Sequence, residues 1–311
     1  MKKLSFSAFQ EIKNWVYRNA RPLDFALWQY WFEGGSKEAV LLALSSYQNN
    51  DGGFGNTIDP DSWNPDSTPY NAQTVIRLLR QIEFLDMEHP FYRGIFRYLE
   101  NTEHRADYGW IFTIPSNDNY PHGVWWDYNP KDNEFQSTGT TASLCGFILR
   151  YGEKESALYR MAMKYTNLLI ERLEGAAQLG DMGVGGYCEL LEDIEAAGLT
   201  EDFDFTYLCE KVSCAVREKI ETEKDNFMAN PLEFVQSPES KYYEENKEGV
   251  EKALDAIIKQ CPENGVWDIP WEWYNDGKYP EAFAISENWW KSNKAIEKLL
   301  QLKSFGRLET R

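Results

Sequence analysis

Apolar residues at helical spacing along nearly the whole chain are the feature that most limits what this sequence can fold into. They recur every three or four positions, as at Phe6, Phe9, Ile12 and Val16, whereas strictly alternating apolar and polar residues are almost absent. This spacing predicts about twelve helices and therefore an all-α fold. Residues 264–274, with alternating tryptophans, are the exception and suggest a short extended segment.

Local start signals place the helices along the chain. Ser36 precedes an apolar run, and Thr68-Pro69 combines a capping hydroxyl with proline at the first helical position. His89-Pro90 begins another helix in the same way. Further helices are expected at 137–150, 155–173, 184–197, 203–220, 245–260 and 281–304.

A loosely repeated turn follows four of the predicted helices. In each turn, acidic or amide residues and glycine precede an aromatic residue, which is Phe54, Trp110, Tyr187 or Trp267. Glycine there allows the left-handed conformation that ends a helix. In the first turn, we expect the Gln48 side chain to bond the last exposed carbonyls of its helix and to lie against the ring.

These turns carry a family resemblance. The stretch Gln48–Phe54 resembles the QW-type repeat of the terpene cyclase and protein prenyltransferase superfamily. Glu33–Ser36, Asp59–Pro65, His122–Trp126 and Trp289–Arg307 resemble uncharacterised bacterial proteins described as prenyltransferase-like or squalene-cyclase-like. The resemblance implies an α/α toroid of about six helix pairs with long aromatic-rich loops.

Composition limits the partners and the compartment. With 32 basic and 50 acidic residues the net charge is −18, which argues against binding nucleic acid or anionic membranes. No apolar run reaches the roughly 20 residues that a membrane helix needs, and the N-terminus does not resemble a signal peptide. Five cysteines without a CxxC pair fit reduced thiols and a cytoplasmic location. We expect one domain over residues 1–311, a small-molecule or glycan substrate, and no membrane insertion. The sequence does not indicate protein partners.

The chemistry of the resembling families is missing from the chain. Prenyltransferases hold zinc with an Asp and a Cys two positions apart and a later His, whereas all three histidines here precede Cys145 and no Cys has that Asp. Metal ligands and cofactors are therefore not predicted. Cyclases use an Asp-x-Asp-Asp acid motif, and its nearest counterpart, Glu201–Phe205, ends in Phe. Those acids are better explained as residues that favour the positive end of the 203–220 helix.

Two clusters remain as candidates for a site. Residues 51–66 are rich in Asp and Asn and stiffened by prolines, so Asp59 and Asp61 could form a preorganised carboxylate pair. The same residues could cap turns, and the spacing of a calcium loop is absent. Residues 120–128 combine two tyrosines and two tryptophans with His122 and Asp127.

If loop aromatics converge at one end of the toroid, they form the walls of a pocket. The predicted catalytic residues are Asp59, Asp61, Asp127 and Glu272. The predicted substrate-binding residues are Trp63, Trp110, His122, Trp125, Trp126, Trp267, Trp271 and Trp273.

Three functions are compatible with these residues. The first is acid–base chemistry on an isoprenoid-like or other hydrophobic small molecule, as the resemblance to terpenoid cyclases implies. The second is a glycan-active hydrolase or lyase with paired carboxylates about 5–9.5 Å apart across an open cleft. The third is a non-catalytic binding or scaffold protein, which would be favoured by acids that all point to solvent.

Overall fold

The computed structural model describes residues 2–175, 179, 182–222 and 230–309. Over these residues the chain forms eleven α-helices and one two-stranded hairpin, so the predicted all-α class is confirmed. The helices are α1 (Phe6–Asn19), α2 (Pro22–Glu33), α3 (Lys37–Ser45), α4 (Pro69–Gln81), α5 (Pro90–Asn101), α6 (Pro130–Tyr151), α7 (Ala157–Gly175), α8 (Gly183–Ala196), α9 (Phe205–Thr222), α10 (Tyr243–Gln260) and α11 (Pro280–Ser304). The strands are β1 (Arg105–Ala106) and β2 (Gly109–Trp110). The toroid stays a prediction, and no helix of the described part is long and apolar enough to cross a bilayer.

The predicted helix starts are confirmed because capping is a local interaction. The hydroxyls of Ser36 and Thr68 accept backbone N–H groups of their first turns, and His89 Nδ1 accepts the N–H of Phe91. The prediction was wrong for α6, which begins at Pro130 rather than at residue 137 because the Asn129 side chain caps it.

The extended segments differ from the prediction. Among the described residues, 264–274 contain no strand, and the short hairpin of β1 and β2 was not predicted. The third repeated turn was also predicted wrongly, because Gly183 and Gly186 lie inside α8. Asp181, which belonged to that turn, lies outside the described residues.

Three aromatics of the repeat donate hydrogen bonds to the helix that precedes them. Trp110 Nε1 donates to the carbonyl of Leu99 at 3.2 Å, and Trp267 Nε1 donates to that of Ile257 at 3.0 Å. Tyr187 donates in the same way to a carbonyl of α7. The expectation for the first turn was wrong, because Gln48 Nε2 donates to Gly52 at 3.0 Å rather than to a helix carbonyl.

The described chain forms two compact units, residues 1–46 with 219–311, and residues 47–218. We call them the first and the second unit. The prediction of one domain over residues 1–311 stays a prediction.

In the first unit, the two ends of the described chain are tied together. Leu4 N–H donates to the Arg307 carbonyl at 2.8 Å, and the Glu309 N–H donates back to Leu4 at 3.0 Å. The side chain of Arg307 is only 2% exposed and bonds both Asp255, at 2.8 Å, and Glu251. These contacts fix the segment after α11 against α10.

In the second unit, polar side chains join α4, α6 and α8. Thr140 donates to Gln73 Oε1 at 3.0 Å, which connects α6 with α4. Asp193 on α8 accepts hydrogen bonds from Arg80 of α4 at 2.7 Å and from Arg150 of α6 at 3.2 Å. The buried carboxylate therefore keeps two cationic partners, which offsets the free-energy cost of its burial.

Glycines let α6 and α8 approach until their backbones touch. A Cβ on Gly186 would lie 2.3 Å from the carbonyl oxygen of Gly139 and 2.6 Å from its Cα. Contacts this short are impossible for a side-chain carbon, so the position accepts hydrogen alone. A Cβ on the neighbouring Gly185 would meet no heavy atom within 4 Å.

We expect Gly186→Ala to lower the free energy of unfolding by about 3 kcal/mol, because the methyl group would force the two backbones apart. Gly185→Ala is the matched control and should raise it by about 0.5–1 kcal/mol, since alanine favours the helix. Urea unfolding followed by circular dichroism measures both. Equal effects of the two substitutions would contradict the close backbone contact.

Candidate functional site

Two long loops of the second unit lie side by side, and we call them the acid loop (residues 47–68) and the histidine loop (residues 111–129). Ser62 and His122 form an isolated antiparallel bridge between them. In that bridge the Trp63 N–H donates to a carbonyl of the histidine loop at 2.9 Å. The two sequence clusters proposed as a site are therefore neighbours in the structure.

Two buried amides strengthen this junction. Asn64 Nδ2 donates to Asn117 Oδ1 at 2.8 Å and to the Ser116 hydroxyl at 2.9 Å. Asn117 Nδ2 in turn donates to the Trp126 carbonyl at 3.1 Å. Both asparagines are 1% exposed, so water cannot replace the bonds that they make. The amide pair holds the acid loop and the histidine loop in one arrangement.

The predicted acids Asp59 and Asp61 are buried, with 6% and 2% of their surface exposed. Asp59 Oδ1 accepts the N–H of Asp61 at 2.8 Å, and the Asp61 carbonyl accepts the N–H of Gly123 at 3.0 Å. Just before them, Asn56 and Thr57 have φ angles of 56° and 64°. A β-branched residue adopts such angles at an energetic cost, so the surrounding contacts must impose this backbone path.

Both acids affect the pKa of Tyr70, which lies in the first turn of α4. Burial raises the pKa of Tyr70, the negative charge of Asp59 raises it further, and Asp61 adds a smaller effect in the same direction. The Arg77 guanidinium opposes them by lowering that pKa. The phenol therefore stays protonated in a desolvated place near two carboxylates.

Three rings pack together beside these acids. The centroid of Tyr70 lies 4.7 Å from that of Trp126 and 5.4 Å from that of Phe112, both edge-to-face, and Phe112 stacks on Trp126 at 4.9 Å. Trp126 is 3% exposed, and its Nε1 has no hydrogen-bond partner in the part of the chain that the structure describes. An unpaired donor of this kind costs about 1–3 kcal/mol. The ring group thus contains a donor that a ligand atom could satisfy.

His122 and Asp127 form a hydrogen-bonded pair in the histidine loop. His122 Nε2 lies 2.8 Å from Asp127 Oδ1, and His122 Nδ1 lies 2.6 Å from the Tyr120 carbonyl. The imidazole is buried, with 5% of the side chain exposed, whereas 65% of the Asp127 side chain is exposed. Asp118 lies near them, with potential ligand atoms of the three residues within 4.8 Å of one another, and its Oδ1 accepts the N–H of Tyr128 at 2.9 Å.

The predicted residues of the second unit divide into two groups. Asp59, Asp61, His122, Trp126 and Asp127 lie on the paired loops. Trp63 and Trp125 also lie there, and both are half-buried. Trp110 lies elsewhere, because it is fully buried against Tyr165 with its indole N–H bonded to α5.

Sequence reasoning missed Tyr70, Phe112 and Asp118. A signal for Tyr70 was present, since it directly follows the Thr68-Pro69 start and therefore begins the helix that leaves the acid loop. Asp118 gave no such signal, because only the folding of the histidine loop brings it near His122.

The remaining predicted residues belong to the first unit. Trp267 and Trp273 are 4% and 2% exposed, Trp271 is half-buried, and Glu272 is exposed. The proposal that they line the same hollow as Trp63 and Trp126 stays a prediction.

Trp267 also has an unusual neighbour. Lys298 Nζ lies 5.0 Å from the centre of its ring, and burial lowers the pKa of Lys298 to about 8. The indole face is thus covered by a partly desolvated ammonium group, which interacts with the ring as a cation–π pair.

The first unit also contains an open cleft of about 480 Å³. Trp15, Arg18, Asp268 and Lys291 are among the residues that line it, and Lys291 bonds Asp268 at 2.9 Å. The cleft contains none of the residues predicted for the site.

A scan against protein-family models and searches of curated proteins and of solved structures find no match to this chain. The function therefore has to be inferred from the geometry of the site itself.

We expect Asn117→Ala to lower the free energy of unfolding by about 1–3 kcal/mol, because it removes one buried acceptor of the Asn64 amide and the buried donor to the Trp126 carbonyl. Asn119→Ala, an exposed position in the same 3-10 turn, should change it by less than about 0.5 kcal/mol. Urea unfolding provides the free energies, and near-ultraviolet circular dichroism reports the tryptophans. If the two variants behave alike, the amide pair does not hold the loops.

For Lys298→Met, the expected result is a gain of about 1 kcal/mol in unfolding free energy at pH 7. The folded-state pKa of about 8 lies below the ordinary 10.5, so protonation favours the unfolded chain. The gain should shrink as pH rises from 8 to 10.5, since the wild-type lysine then loses its charge in the folded state. Lys294→Met, which removes a lysine paired with Glu297, is the control and should show no such gain. A gain independent of pH would contradict this explanation.

Proposed function

We propose that the second unit is an enzyme that uses Asp59 or Asp61 as a general acid on a hydrophobic, isoprenoid-like small molecule. The observation that carries the proposal is the burial of two carboxyl groups beside the ring group of Tyr70, Phe112 and Trp126.

Burial of the acids supports proton donation to a weakly basic substrate. A carboxylic acid can protonate an alkene only where water does not compete for the proton and the acid is kept neutral. With 6% and 2% exposure, Asp59 and Asp61 lie where water has little access. The Tyr70 hydroxyl, near both, is a further donor that could stabilise whichever carboxylate has given up its proton.

The rings support a substrate that develops positive charge. Aromatic faces attract cations, and the attraction grows when both partners are desolvated. Trp126 adds an indole N–H without a partner among the described residues, which could bind a hydroxyl oxygen of the substrate. This role agrees with the resemblance to terpenoid cyclases, although the acids here lie on a different motif.

A glycan-active enzyme is the second candidate. It is favoured by the exposed Asp127 carboxylate and by the half-buried rings of Trp63 and Trp125 on the same loops. Tryptophan faces bind sugar rings, and two carboxylates can hydrolyse a glycosidic bond. In this case Asp127, rather than the buried pair alone, would be needed for turnover.

The experiment compares two substrate classes and four variants. Wild-type protein is incubated with farnesol and geranylgeraniol, or with cello-, xylo- and chito-oligosaccharides, and products are detected by mass spectrometry. We expect product from the isoprenoid alcohols, and a loss of about 100-fold or more in Asp59→Asn or Asp61→Asn. Asp66→Asn, an exposed acid in the same loop, should keep wild-type turnover.

Unchanged turnover in both buried variants would make the assignment of the acid wrong. Product from oligosaccharides alone, lost in Asp127→Asn, would replace the first candidate by the second. If neither class gives a product, the binding of farnesol or oligosaccharide without turnover, followed by tryptophan fluorescence, would point to the non-catalytic protein.

A further inference from the structure

We propose that Asp118, His122 and Asp127 bind one divalent transition-metal ion through one imidazole nitrogen and two carboxylates. One potential ligand atom of each residue lies within 4.8 Å of the other two. Among the described residues this is the group that meets that distance, and it lies in the histidine loop rather than at residues 51–66. The proposal does not depend on the roles of Asp59 and Asp61.

The hydrogen bond at His122 Nδ1 determines which nitrogen is available. Its partner, the Tyr120 carbonyl at 2.6 Å, can only accept, so Nδ1 carries a proton. In the neutral ring the lone pair is then on Nε2, which faces Asp127 Oδ1 at 2.8 Å. Nε2 is therefore the ring nitrogen that can bind a metal ion.

The same arrangement is found around metal-bound histidines. Their second ring nitrogen usually donates to a carbonyl or a carboxylate, which fixes the tautomer and the ring plane. Here that partner is a backbone carbonyl, so no side-chain motion can remove it. Burial of the imidazole, 5% exposed, fixes the direction of Nε2 as well.

The separations suit a first-row ion. Two neighbouring ligands on an octahedral ion with bonds of about 2.1 Å lie roughly 3.0 Å apart. His122 Nε2 and Asp127 Oδ1 are 2.8 Å apart, which is close to this value. The third ligand is the exposed carboxylate of Asp118, whose Oδ1 accepts the Tyr128 N–H. The exposed carboxylates of Asp118 and Asp127 are not held in a packed core and can rotate toward a shared ion.

The donor set selects the kind of metal. Carboxylate oxygens alone would favour magnesium or calcium, but an imidazole ligand shifts the preference to manganese, iron or zinc. The exposed sides of Asp118 and Asp127 leave the remaining coordination positions open to water. A bound ion there could lower the pKa of such a water molecule and make it a nucleophile.

The test measures binding of manganese directly, without any substrate. Chelator-treated full-length protein is titrated with MnCl₂, and free Mn²⁺ is followed by electron paramagnetic resonance, with ZnCl₂ and MgCl₂ titrated by calorimetry for comparison. We expect one tight Mn²⁺ per chain and weaker binding of Mg²⁺. Asp118→Asn and Asp127→Asn should each weaken Mn²⁺ binding about 10-fold or more, and so should His122→Gln.

Asp107→Asn is the matched control, since Asp107 is an exposed acid elsewhere in the second unit. It should leave Mn²⁺ affinity unchanged, which separates a defined site from the general attraction of a chain with net charge −18. Asp118 and Asp127 are exposed, so their substitution should leave the fold intact, as circular dichroism can verify.

The proposal is overturned if wild-type protein binds no Mn²⁺, or if Asp107→Asn and Asp118→Asn weaken binding equally. Asp59→Asn and Asp61→Asn should bind Mn²⁺ like the wild type. In those two variants turnover tests the proposed acid, whereas Mn²⁺ binding tests this site. Either proposal can therefore fail without the other.

Discussion

The bond between the buried amides of Asn64 and Asn117 is the interaction on which the candidate site depends. The acid loop and the histidine loop contain almost no regular secondary structure, and the backbone bonds that align them are confined to the short bridge at Ser62 and His122. A buried amide must find a partner inside the protein, because water cannot reach it. The bond between the two amides therefore holds the acid loop against the histidine loop. The acids, the rings and the imidazole on these loops consequently have fixed relative positions.

The helices of the second unit anchor these loops. Tyr70 lies in the first turn of α4, and α6 begins immediately after the histidine loop, so the site is anchored to the start of both helices. Backbone contact at Gly139 and Gly186 prevents α6 from sliding along α8, and the arginines around Asp193 hold α4 to both. Rigid elements of this kind are what a preorganised site requires.

Local interactions explain what the sequence could predict. Capping at Thr68 depends on neighbours a few residues away, and the acids of the acid loop were conspicuous from composition alone. Asp118 could not be found, because a long loop must fold before it approaches His122. A tryptophan in a loop suggests a binding surface, yet the indole N–H groups of Trp110 and Trp267 are each bonded to a carbonyl near the end of a helix. Sequence position alone does not reveal the direction of a ring.

The order of the two units along the chain has a consequence for synthesis. The second unit is continuous in sequence, whereas the first is assembled from residues 1–46 and 219–311. During translation the second unit can therefore become ordered while α1 to α3 still lack α11 and Arg307. The faces of α1 and α2 that pack against α11 remain exposed until α11 has been synthesised, which makes this interval the one in which a chaperone would be most useful.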